Sequence, residues 1–199
     1  MATLRPETIR GVTNAFVNPN SIYVEAVVDG ERWIISKEAA GKFSLQARDV
    51  TIEREIPIET LIGEFIQNPI TEESVIILPA TFVKSDNTTG VVMSVPAHSP
   101  DDWIALSEAK QNIDQLSAYG IESASLDAIV PISILTVEGY GEFPAKDIVE
   151  SFGITTSSDP LLKQATHELY NKEFRSGILR EFYGVYSGET VEKVRDQIK

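Results

Sequence analysis

The sequence predicts a single α+β domain, with a β-barrel-like core and helices packed around it. The first half consists of short runs of β-branched and aromatic residues separated by turn residues, the pattern of many short strands. The second half changes to segments that open on proline and carry apolar residues near helical spacing. With 199 residues and 42% hydrophobic content, the chain is long enough to bury one substantial core.

Residues 11–17 read as the first strand. Residues 22–28 and 31–36 are rich in β-formers and flank Asp29-Gly30, a strong signal for a two-residue hairpin turn. Ser36-Lys37-Glu38-Ala39-Ala40 reads as a short helix with Ser36 as its cap. Residues 49–56, 74–78 and 90–95 are further strands. Residues 100–119 place Trp103, Leu106, Ile113 and Leu116 on one helical face. Residues 132–138 read as a strand leading into the loop 139–144. Residues 144–152 and 160–178 are two more helices, each starting at a proline. Residues 190–199 have helix-compatible, charged composition and no stop signal, so the domain is expected to be cut from a larger protein. There is no internal repeat and no low-complexity tract.

Composition narrows the chemistry. No run approaches the roughly 18 apolar residues of a membrane helix, and the start lacks the basic-then-apolar order of a signal peptide. Cysteine is absent, which excludes disulfides and thiolate metal sites and fits a cytoplasmic, reducing setting. The two histidines, His98 and His167, are 69 positions apart and form no short-spaced ligand pair, so no metal is expected. Phosphate-loop, dinucleotide-binding and Gly-x-Ser-x-Gly nucleophile motifs are all missing, and no cofactor is expected. The net charge of −13 lies entirely in residues 1–158, because residues 159–199 hold seven acids and seven bases. Such a domain repels phosphate at long range. An RNA substrate would have to be held mainly by another part of a larger protein.

Two polar clusters stand out. In Val95-Pro96-Ala97-His98-Ser99-Pro100-Asp101-Asp102, a strand ends and a helix begins, with Ser99 three residues ahead of Asp102. On the residues alone, Asp102 reads first as part of a helix cap, although the same geometry also suits a carboxylate fixed to grip a cation such as an α-ammonium group. The second cluster, Thr3-Leu4-Arg5-Pro6-Glu7-Thr8, is either a polar turn or the hydroxyl-bearing wall of a small pocket. His98 alone reads as a structural histidine, and Arg5 as an ion-pair partner.

Taken together, these clusters resemble the editing domains of leucyl-tRNA synthetases. Thr3 to Thr8, Gly11-Val12-Thr13-Asn14 and Val17-Asn18-Pro19 are similar to their threonine-rich strand and loop. Thr89-Gly90-Val91-Val92-Met93, continuing from Val95 to Asp102, is similar to the second half of their pocket. Residues 139–145 and 165–170 resemble an insertion of the archaeal and eukaryotic branch. The isoleucyl and valyl relatives share the general fold, but Leu4 and Val91-Val92-Met93-Ser94-Val95-Pro96 resemble the leucine enzymes.

The resemblance implies hydrolysis of the ester that joins a non-cognate amino acid, such as isoleucine or norvaline, to the 3′ end of tRNA-Leu. It implies Asp102 and Thr3 as catalytic residues, Asp102 holding the substrate α-amino group. Thr8 is implied as the residue that excludes leucine. Arg5, Leu4, Met93, Val95, Thr89 and His98 are implied to line the site for the amino acid and terminal adenosine. The implied partners are charged tRNA-Leu and the remainder of a parent synthetase, with residues 1–199 as one editing domain. The His-Ile-Gly-His and Lys-Met-Ser-Lys-Ser signatures of the synthetic half are absent from these residues. One departure is Arg10, where the family usually carries a bulky, often aromatic residue. Such a domain answers a physical limit, since one methylene gives a pocket only about 1–3 kcal/mol of discrimination.

Overall fold

The structure is a computed structural model and describes residues 5–198. A 3-10 helix over Pro6–Gly11 comes first, opened by a proline whose missing N–H removes no helical bond. It takes up Gly11, and Val12 and Thr13 lie outside the ladder, so β1 (Asn14–Val17) is shorter than the sequence predicts. β2 (Tyr23–Val28) and β3 (Glu31–Ser36) form the expected hairpin. Asp29 and Gly30 both have positive φ, 51° and 87°, as a two-residue turn of matching twist requires. α1 (Lys37–Leu45) starts where Ser36 Oγ accepts the Ala39 N–H at 3.0 Å. β4 (Val50–Ile56) then pairs antiparallel with β2.

β5 (Phe65–Gln67), β6 (Ser74–Pro79) and β7 (Val91–Ser94) follow. The segment expected as one helix over 100–119 breaks into α2 (Pro100–Gln111), α3 (Ile113–Leu116) and a 3-10 turn. That turn closes at Gly120, whose φ is 74°. α4 (Ser123–Asp127) precedes β8 (Leu135–Thr136), the only ladder residues of the strand expected over 132–138. α5 (Pro144–Ser151) and α6 (Leu162–Ser176) are the two expected helices. β9 (Ile178–Leu179) pairs with β8, and α7 (Val191–Val194) is the last helix of the described residues.

The strands lie in three sheets, ordered β5-β6-β1-β7, β3-β2-β4 and β8-β9. β1 runs parallel to β6 and antiparallel to β7. A backbone bond from Ser36 N–H to the Thr89 carbonyl, 3.0 Å, crosses between the first two sheets. They do not merge, so the α+β class holds while the barrel does not close among the described residues. α2 is buried on two sides. Ala105, Leu106 and Ala109 join Phe16 and Leu78 of the large sheet, whereas Ile104 joins Ile148 and Leu169 of α5 and α6. This helix therefore fixes the end of β7 against α6, which is where the polar clusters meet.

Gly90 sets the link between the two larger sheets. Its φ is 71°, and a Cβ there would sit 2.6 Å from both Cβ and Oγ of Ser36. Its carbonyl also accepts the buried Tyr23 hydroxyl at 2.6 Å. Gly90→Ala is expected to destabilise the domain by about 2–3 kcal/mol, combining left-handed backbone strain with displacement of the α1 cap. Urea unfolding with an unchanged midpoint would refute this.

Candidate functional site

The strand-to-helix turn after β7 places Asp102. The His98 and Ser99 N–H groups both donate to the Val95 carbonyl at 3.0 Å, which curls the chain back on itself. Ser99 is the N-cap of α2 in extended conformation, Pro100 takes the first turn, and the Asp102 N–H donates to Ser99 Oγ at 3.4 Å. In a capping box the acid would bond back to the N–H of the capping residue. Here Asp102 Oδ2 instead accepts the Val95 N–H at 2.8 Å, tying the helix start to the strand end. The Ser99 side chain also lies within hydrogen-bonding reach of this carboxyl.

Asp102 is 4% exposed. Burial pushes its carboxyl up to about 7, against the opposing pull of the Val95 N–H and Ser99. A carboxylate held in that state gains strongly from a cation brought against it.

The N-terminal segment is fastened to this turn from several directions. Arg5 Nε donates to Glu7 Oε1 at 2.9 Å, Nη2 to Glu173 Oε2 at 2.7 Å and Nη1 to the His98 carbonyl at 3.4 Å. Its guanidinium also lies 4.4 Å from the centre of the Tyr170 ring. Burial disfavours the charge, but Glu173, Tyr170 and Glu7 outweigh it and hold Arg5 above its already basic range. The Tyr170 hydroxyl is pushed up to about 12, first by burial and then by the Asp102 charge.

Thr8 is buried, with Oγ1–H and N–H both donating to the Arg5 carbonyl, at 2.7 and 2.9 Å. Gly11 brings the segment against β7, because a Cβ there would fall 2.9 Å from Val95 Cγ1.

His98 has no exposed surface. Its Nε2 accepts the Ile134 N–H at 2.9 Å, so Nδ1 carries the proton and donates to Glu173 Oε1 at 2.6 Å. Both ring nitrogens are thus engaged within the protein, between Glu173 and the Ile134 backbone.

The structure thus brings Arg5, Thr8, Val95, His98 and Asp102 to one end of the large sheet, with half-buried Met93 opposite Ala15 on the adjoining strand. Thr89 is not among them. It sits before the other end of β7, on the order of 20 Å along the chain from Val95 at strand rise. Its carbonyl and hydroxyl face Ser36 and Val91. Thr3 and Leu4 lie outside the described residues. Arg10 is exposed and rests 6.0 Å from the centre of the Tyr183 ring, while the Tyr183 hydroxyl donates to the Glu7 carbonyl. The departure at Arg10 therefore meets the C-terminal part of the domain.

Glu173 and Tyr170, both on α6, were not expected. The one signal was periodicity: Leu162, Ala165, Leu169 and Glu173 share a buried stripe, so an acid continues an apolar face. No cluster of three or more metal-ligating side chains occurs among the described residues, and none of their helices is long and apolar enough to cross a membrane. A cavity of about 370 Å³ beside Phe82, Ala105 and Leu116 lies towards the C-terminal half of α2. Its one carboxylate, Glu108, already accepts the Ser157 N–H at 2.8 Å, so the chemistry is concentrated at Asp102.

The chain is similar to known proteins along nearly its whole length. A family model described as "Leucyl-tRNA synthetase, editing domain" matches residues 1–128. The leucine–tRNA ligase of Pyrococcus abyssi is 47% identical over 99% of this chain and 21% of its own length. That of Methanosarcina barkeri is 48% identical over 98% of this chain and 20% of its own. The chain thus spans about a fifth of the curated relatives it matches. A crystal structure titled "GlLeuRS-CP1" superposes with a TM-score of 0.84 at 28% identity, covering 98% of this chain and 76% of that one. The cytosolic leucyl-tRNA synthetase editing domain of P. falciparum has the same fold, with a TM-score of 0.87 at 22% identity over 98% of this chain and 72% of that one. With residues 1–128, more than half of its length, matching that family model, the chain belongs to the leucyl-tRNA synthetase editing-domain family.

Proposed function

We propose that this domain hydrolyses the ester of mischarged tRNA-Leu, isoleucyl- and norvalyl-tRNA-Leu among its substrates, and spares leucyl-tRNA-Leu. The observation that carries the reading is Asp102, a buried carboxylate fixed at the strand-to-helix turn by the Val95 N–H. In this role Oδ1 accepts from the substrate α-ammonium group and fixes the ester relative to an attacking water. An aminoacyl ester is already activated, so positioning and stabilisation of the developing oxyanion suffice without a nucleophilic side chain or cofactor. Thr8 stands against the leucine side chain, and Met93 and Val95 form pocket wall.

The acidity of the domain supports action within a larger, cytoplasmic synthetase whose other parts hold the tRNA body. Residues 1–199 act there as a single editing domain.

The test is hydrolysis of isoleucyl-tRNA-Leu and leucyl-tRNA-Leu by the chain across pH 5–8. Selective loss of the isoleucyl ester is expected. The group to be ionised is Asp102, so kcat/KM rises about tenfold per pH unit up to about 7 and then levels. Equal loss of both esters would sink the reading. The stability effect has the opposite sign. A carboxyl raised from 3.8 to about 7 takes up a proton on folding, so its contribution is fullest below pH 4 and declines until about pH 7.

A further inference from the structure

Glu173 is fully buried, yet its carboxylate is engaged on both oxygens by two parts of the candidate site. Oε2 accepts from Arg5 on the N-terminal segment and Oε1 from His98 in the turn that carries Asp102. These partners are 168 and 75 positions away in sequence. Arg5 is also the residue whose carbonyl orients Thr8, accepting both its hydroxyl and its N–H. The chain of contacts therefore runs from α6 through Arg5 to Thr8, and from α6 through His98 to the turn before Asp102. Glu173 lies beyond the residues matched by the editing-domain family model.

We propose that Glu173 is a positioning residue for the editing pocket, holding the threonine-bearing segment and the aspartate-bearing turn in register through Arg5 and His98. The proposal rests on the editing function proposed above. Glu173 touches no substrate. It fixes the distance between the group that excludes leucine and the group that holds the α-ammonium. An error of about 1 Å in such a placement is enough for a loss of up to about 100-fold.

The test is Glu173→Gln in the 199-residue chain, alone and combined with Arg5→Ala. The amide can accept from only one of the two donors and removes the charge facing Arg5. Deacylation of isoleucyl-tRNA-Leu is expected to fall about tenfold or more in kcat/KM, with no further fall when Glu173→Gln is added to Arg5→Ala. Amide exchange at Thr8 should accelerate about tenfold as the Arg5 carbonyl loosens. Leu162→Ala, in the same helix but among apolar neighbours, should lower the melting temperature and leave both readouts unchanged.

Wild-type kinetics in Glu173→Gln, an additive loss in the double variant, or unchanged exchange at Thr8 would overturn the proposal. If Glu173→Gln does not fold, Glu173→Asp is read by the same cycle. A loss that disappears in the Arg5→Ala background supports positioning, and no loss, or one of equal size in both backgrounds, overturns it. A wild-type chain that spares isoleucyl-tRNA-Leu would remove the editing assignment, while exchange at Thr8 would still decide whether Glu173 sets the segment.

Discussion

Asp102→Ala is expected to lower hydrolysis of isoleucyl-tRNA-Leu by about 100-fold or more, about 3 kcal/mol of transition-state stabilisation, while the domain still unfolds cooperatively. Two stability effects oppose each other. Removing the side chain leaves the buried Val95 N–H without its 2.8 Å acceptor, a loss of about 1–3 kcal/mol. It also removes a carboxyl whose ionisation burial strongly disfavours, raising it to about 7. Near neutral pH these partly cancel, so the melting temperature should change far less than the rate. Asp102→Asn sharpens the point, because its amide oxygen can keep the Val95 bond while the charge is lost. It should match alanine in rate, match wild type in stability, and abolish the rise of kcat/KM towards pH 7. If Asp102→Ala instead unfolds the domain, tying α2 to β7 is the main work of the residue. An active Asp102→Asn would show that the negative charge is not needed.

The parts of the site legible in the sequence were those carried by contiguous residues. Ser99, Pro100 and Asp102 announce a helix start because capping is local, and the structure puts the cap at Ser99. The hairpin at Asp29-Gly30 and the α1 start at Ser36 were readable for the same reason. What could not be read is set by contacts far apart in the chain. The pairing of β1 with β6 in parallel, around the intervening β2, β3, α1 and β4, is a tertiary choice that leaves no trace in either strand. That choice splits the strands into separate sheets and leaves the expected barrel open. β5 and β9 are three and two residues long, too short for alternation to register.

Thr89 illustrates a different limit. The similar string from Thr89 to Asp102 spans a whole strand, so its two ends lie at opposite ends of β7, which contiguity in sequence does not reveal. His98 was visible, but its role was not. Only the fold reveals that the Ile134 N–H meets one ring nitrogen and Glu173 the other. Glu173 was hidden among the charges of α6, where an acid normally faces solvent.

Thr8→Ala is expected to open the pocket to leucine, so that leucyl-tRNA-Leu is hydrolysed about 10–100-fold faster than by wild type. The magnitude follows from what is removed. Exclusion of leucine needs a wall fixed to within a fraction of an ångström. Thr8 is β-branched, buried, and locked because its hydroxyl and N–H both reach the Arg5 carbonyl. Alanine removes the branch and the 2.7 Å hydroxyl bond together. Two further substitutions separate these contributions. Thr8→Val keeps the branch and loses the hydroxyl, so leucine rejection should survive if bulk is what matters, at a stability loss of about 1 kcal/mol. Thr8→Ser keeps the hydroxyl bond and loses the methyl, so leucyl-tRNA-Leu hydrolysis should rise towards the alanine level. If valine admits leucine and serine rejects it, the hydroxyl and its bond to Arg5 set the boundary. Leucine rejection left intact in Thr8→Ala would place the wall elsewhere, with Met93 and Val95 the next side chains to truncate. The same three variants should hydrolyse isoleucyl-tRNA-Leu at near wild-type rates, because Asp102 and its bond to Val95 are untouched. A parallel loss of that activity would mean that Thr8 positions the reacting ester as well as guarding the pocket.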